Sequence, residues 1–92
     1  MADINIVQAH AMTPAQARSA AQTVADKISQ EYALQCEWRG DVLHFERSGV
    51  TGELTLGATQ AQIVIRLGFL MRAFRSAIEA KVAANMKKVF GR

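Results

Sequence analysis

The chain has 92 residues, half of them hydrophobic and 21% charged, with a formal net charge of +3. That length holds a single domain, residues 1–92, burying roughly 60 to 65% of its unfolded surface around one core, and the composition excludes an intrinsically disordered chain. A lone cysteine, Cys36, excludes an internal disulfide and a cysteine-rich zinc site, and basic residues that adjoin only at Lys87-Lys88 give weak grounds for a nucleic-acid protein.

Residues Met1 to Asn5 form neither a basic n-region nor an apolar h-region, and no segment reaches about 18 uninterrupted apolar residues. Secretion and membrane spanning are therefore not expected; a reducing cytoplasm is. Residues 3–9 alternate, with Ile4 and Ile6 on one side and Asn5 and Val7 on the other, which predicts a short strand whose place in a sheet stays open. Thr13-Pro14-Ala15-Gln16 predicts a helix start, since Thr13 can cap, Pro14 loses no needed N–H and Gln16 can close a capping box. The helix is expected from Pro14 to about Tyr32, with an alanine-rich stripe (Ala17, Ala20, Ala21, Val24, Ile28, Tyr32) that lets it lie close to a sheet.

Three hairpins should follow. A two-residue loop at Gly40-Asp41 places Trp38 opposite Leu43, Glu37 opposite His44 and Cys36 opposite Phe45. Another at Ser48-Gly49 places Phe45 opposite Gly52 and Leu43 opposite Leu54, and one at Ala58-Thr59 pairs Leu54 with Ile63 and Leu56 with Ala61. Through all three turns the apolar side chains stay on one face and Gln35, Glu37, His44, Glu53 and Arg66 on the other. A meander with one apolar and one wet face is covered on one side only, so the expected fold is α+β, two-layer, antiparallel, in the order β-α-β-β-β-β-α with both helices on one face. The last element, from about Phe69 to Phe90, carries Leu70, Met71, Phe74, Ile78, Val82, Met86 and Val89 on one side; at 1.5 Å per residue it would be about 33 Å long and overhang the sheet.

Several residues invite chemistry. His44 between Glu37 and Glu53 reads as a cross-strand ion-pair row, because a transition metal would want a further nitrogen or sulfur ligand. Arg47, at the end of the inward row, reads as a side chain that snorkels to water, and Cys36 as a small buried core residue. No phosphate loop, nucleophile–base arrangement or Cys-x-x-Cys is present, so no catalytic residues, metal or cofactor are assigned and an enzyme is not expected.

The run Trp38 to Gly52, WRGDVLHFERSGVTG, with Leu67 to Leu70, LGFL, and the opening MADI, resembles the small polyhydroxyalkanoic acid system proteins of bacteria over nearly the whole chain. The resemblance implies an accessory or regulatory role in bacterial polyester storage, and it brings no catalytic residues. The element order also resembles a shortened helix-grip domain of the START and Bet v 1 type, an analogy of fold alone.

The leading expectation is thus a non-enzymatic cytoplasmic protein, granule-associated, binding a protein partner or the polyester granule surface through Met71, Phe74, Met86 and Phe90 of the last helix. The alternative is a carrier of a small acyl or hydroxyacyl ligand in a helix-sheet groove lined by Trp38, Phe45, Leu54, Ile65 and Phe74. Nucleic-acid binding through Arg72, Arg75, Lys81, Lys87, Lys88 and Arg92 is a third and weaker reading, without an aromatic platform to support it. A homodimer is compatible with all three.

Overall fold

The computed structural model describes residues 3–91. Its elements are β1 (Ile4–Ala9), α1 (Pro14–Tyr32), β2 (Gln35–Arg39), β3 (Val42–Arg47), β4 (Val50–Leu56), β5 (Gln60–Leu67), a 3-10 turn (Met71–Phe74) and α2 (Arg75–Phe90). The five strands form one antiparallel sheet in the order β1-β5-β4-β3-β2. The first strand, whose place local pattern leaves open, pairs with β5 through Ile4 opposite Ile65 and Ile6 opposite Ile63, so β1 and β2 are the two edges.

The registers follow from the turns. Gly40 and Gly49 take φ of 62° and 84°, a left-handed conformation that glycine adopts without the Cβ penalty, and each closes a two-residue hairpin. The observed pairs Trp38–Leu43, Cys36–Phe45, Phe45–Gly52, Leu54–Ile63 and Leu56–Ala61 are those the alternation requires. A slip of one residue would turn the whole inner row to water.

Helix α1 starts with the capping box: Gln16 N–H donates to Thr13 Oγ1 at 3.2 Å and Thr13 N–H to Gln16 Oε1 at 3.1 Å. It ends at Ala33, whose φ of 55° takes the chain into β2. Ala17, Ala21, Val24, Ala25 and Ile28 are buried against the sheet, and Ile78, Val82, Met86 and Phe90 of α2 fill the same layer, four residues apart and one turn after another. The core contains no buried polar or charged residue among the described residues.

Two inner-face expectations are corrected at the β2 edge. Cys36 is exposed, because the helices do not reach fully over this outermost strand. Trp38 is only half-buried; its ring lies beneath the Arg18 guanidinium, 4.0 Å from the ring centroid, and its indole N–H donates to Gln22 Oε1 at 2.8 Å. Two polar side chains of α1 thus cover what apolar ones would cover deeper in the sheet.

Candidate functional site

The connection from β5 to α2 is built on two glycines. Gly68 N–H donates to Gly49 O at 2.7 Å, and a Cβ on Gly68 would lie 3.2 Å from the Gly49 Cα and carbonyl oxygen. A side chain here would press the β3–β4 turn back by a few tenths of an ångström, so glycine eases the close approach of the end of β5. Gly68 O then accepts from Met71 N–H at 3.0 Å and Arg72 N–H at 3.2 Å, winding the chain into the 3-10 turn.

This winding decides which side chains face outward. A 3-10 turn advances 120° per residue where an α-helix advances 100°, so over four residues the apolar stripe rotates by roughly 80° relative to its α-helical course. Met71 turns inward over Gly49 and lines the core beside Tyr32 and Ile78, whereas Phe69, Leu70 and Phe74 are 88%, 79% and 57% exposed. They are three of the four large exposed hydrophobic residues among those described, and they fall within six positions of one another. Isolated exposed leucines need no explanation, but a concentration of this kind makes the turn the candidate contact surface.

The turn is tied to Asp3, just ahead of β1. Asp3 accepts the Leu67 N–H on Oδ2 at 2.8 Å, its carbonyl accepts from Arg75 Nε at 2.8 Å, and its Oδ1 lies 3.6 Å from Arg72 Nε. Arg75 also stands 3.9 Å from Glu79, and Arg66 is 4.0 Å from Glu53. Three arginines near the apolar group, Arg66, Arg72 and Arg75, thus each stand within 4.0 Å of a carboxylate, and Arg47 at the neighbouring turn donates to the Tyr32 carbonyl.

Residues assigned to a site from the sequence separate sharply. Met86 and Phe90, expected on a partner-binding surface, are fully buried, because continuous α2 has 16 residues and spans about 24 Å, so the sheet covers its last turns. Phe74 and Met71 lie in the exposed turn, Phe74 facing solvent and Met71 half-buried. Phe45, Leu54 and Ile65, expected to line a groove, are core residues, while Trp38 lies under Arg18 and Phe74 points away from them. The apolar cavity between helices and sheet, lined by Ile28, Leu34, Phe45, Val50 and Ile65 among others, measures about 10 Å³. That is room for about one water and none for an acyl chain. Periodicity alone does not single out Phe69 and Leu70 as site residues; the signal for them is the Gly68 that precedes them, with Gly49 across the sheet.

On the open face His44 lies opposite Glu37 and Glu53, as the register requires, above a solvent-open depression of about 450 Å³ with Thr51 and Arg66 on its wall. Among the described residues no group of three or more histidine, cysteine or acidic side chains is placed to hold a metal ion. Arg47 is exposed and donates to the Tyr32 carbonyl at 2.6 Å, satisfying a group at the end of α1. Of the basic residues on the last helix, Arg72, Arg75 and Lys81 have acidic partners, and Arg92 lies outside the described residues. No helix among the described residues is long and apolar enough to cross a membrane.

Partial burial pushes the Cys36 thiol above its ordinary value; a Ser29 hydrogen bond opposes the shift and nearby Asp26 adds to it. The pH profile of iodoacetamide alkylation should accordingly be displaced upward from that of free cysteine, because the thiolate is the nucleophile. A midpoint at or below the free thiol's would contradict this placement.

The family model described as "Putative polyhydroxyalkanoic acid system protein" matches residues 4–90. No curated protein matches the chain, and no solved structure does. The helix-grip likeness thus remains one of element order.

Proposed function

The chain belongs to the polyhydroxyalkanoic acid system protein family over residues 4–90, and from that premise we propose that it is a non-enzymatic accessory or regulatory protein of bacterial polyhydroxyalkanoate storage, docking through Phe69, Leu70 and Phe74. The observation that carries this reading is the exposure of three large apolar side chains on a turn whose backbone is fixed by Gly49, Gly68 and Asp3. Nothing in the local fold requires them to be apolar. Fully burying a Phe or Leu side chain stabilises by roughly 1.5 to 3 kcal/mol, so the group supplies a large share of what a micromolar contact needs, even after the cost of immobilisation. A carrier function is poorly supported, since the groove residues pack against one another around a space of about 10 Å³. The role is cytoplasmic, at the granule surface.

The test is co-sedimentation of the purified full chain with native polyhydroxyalkanoate granules. Wild type is expected in the pellet. The double variant Phe69→Ser/Leu70→Ser should stay in the supernatant with an unfolding free energy unchanged within the roughly ±0.5 kcal/mol typical of surface positions. Equal pelleting of variant and wild type would place the docking surface elsewhere.

A further inference from the structure

We infer that the surface this turn seats on is the uncharged aliphatic polyester itself, contacted directly and without electrostatic assistance; the inference rests on the docking function proposed above and names its partner. Three features of the turn favour a neutral apolar surface over an anionic lipid layer.

The first is charge. A docking site for anionic headgroups presents unpaired cations, each strengthening binding by roughly fivefold near such a surface. Here Arg72 stands 3.6 Å from Asp3, Arg75 3.9 Å from Glu79 and Arg66 4.0 Å from Glu53. Anionic headgroups would have to displace carboxylates already in place. A neutral polymer asks for no such exchange, and a charge-balanced rim is its electrostatic complement.

The second is exposure. Phe69 and Leu70, at 88% and 79% exposure, stand almost wholly in solvent. Side chains this exposed can enter a yielding apolar phase without rearrangement of the turn. The third is size: the group comprises three side chains in and just before the 3-10 turn, and the α2 residues that follow alternate charged Arg75, Glu79 and Lys81 with buried Ile78 and Val82. Among the described residues the turn continues into no exposed amphipathic face of the kind that lies in a phospholipid interface. Hydrogen bonds at Gly49, Gly68 and Asp3 tie the turn down, which limits the ordering that contact requires and favours adsorption by so few residues.

The experiment measures binding of the full chain to polyhydroxyalkanoate particles stripped of protein and lipid, beside native granules, zwitterionic phosphatidylcholine vesicles and anionic phosphatidylglycerol vesicles. Each is measured at about 20 mM and about 500 mM salt. The expected result is binding to bare polymer that changes by less than about threefold between the two salts, and falls by about tenfold or more in Phe69→Ser/Leu70→Ser. Binding to anionic vesicles that exceeds binding to polymer and collapses in high salt would overturn the inference in favour of lipid. Sedimentation with native granules but not with bare polymer would also overturn it, while leaving the docking function standing on a granule protein. Equal adsorption of the double variant to bare polymer would show that the turn is not the contact. Failure to bind either granules or polymer would remove the docking function as well.

Discussion

Replacing Gly52 by alanine should destabilise the fold by about 2 to 3 kcal/mol, the upper part of the range for a methyl forced into a filled core. Gly52 sits in the middle of β4, directly opposite Phe45. An added Cβ would run into the Phe45 ring edge and stand 2.9 Å from the Val64 carbonyl oxygen. The backbone contact cannot yield without disturbing β5, and the ring cannot swing away because Phe45 is itself buried at 3% exposure. The ring fills the space that a side chain at position 52 would occupy, an aromatic cover over a strand glycine. The cost should therefore depend on the ring. In a Phe45→Leu background the same Gly52→Ala change should cost at least about 1 kcal/mol less, a coupling well outside the few tenths typical of independent sites. Urea unfolding of the four proteins in the cycle measures it. Additivity would show that the Val64 contact, and not the ring, is what keeps position 52 a glycine.

The pairing of Phe45 with Gly52 is legible in the sequence itself, for a reason general to the middle of this chain. A side-chain period of two, three short turns and a strict apolar row leave only one register that keeps Leu43, Phe45, Leu54, Ile63 and Ile65 together, so the sheet from β2 to β5 follows from local rules. The start of α1 is equally legible, since Thr13, Pro14 and Gln16 act within four residues of one another. Strand β1 is not, because its partner lies more than fifty residues away and nothing in Ile4-Asn5-Ile6 specifies which edge it joins. The β2 edge misleads in another way. Alternation assigns Cys36 and Trp38 to the inner face, but alternation does not report how far a helix reaches across the sheet. The docking turn is legible only in part. Periodicity predicts apolar residues running from Leu70 to Val89 on one face, yet it assumes a constant 100° step, and the 3-10 turn that follows Gly68 breaks that phase at the point where function is proposed.

The same break in phase yields the second large effect, in which one helix should divide into a structural half and a contact half. Phe90→Ala is expected to cost about 3 to 5 kcal/mol, as for other large aromatic deletions in a core, whereas Phe74→Ala should stay within about 0.5 kcal/mol of wild type. Phe90 is the last residue of α2 and is nonetheless fully buried. The β1–α1 connection folds over it: the His10 ring lies 5.8 Å away centroid to centroid, fixed by Met12 N–H donating to its Nδ1 at 3.1 Å and by its Nε2 against the Gly57 carbonyl at 3.0 Å. Removing the Phe90 ring leaves a cavity and takes away the surface on which His10 rests, so the loss should reach the β1–α1 connection and the β4–β5 turn together. For a domain with a total stability of about 5 to 15 kcal/mol, such a loss is a substantial fraction of the whole. Phe74 has no such surroundings at 57% exposure. Urea unfolding and granule sedimentation on the same preparations separate the two roles: Phe90→Ala should lose stability but bind granules normally per folded molecule, and Phe74→Ala should keep its stability and bind less. A Phe90→Ala protein that kept its stability and lost granule binding would move the contact to the far end of α2 and undo the assignment made to Phe69, Leu70 and Phe74.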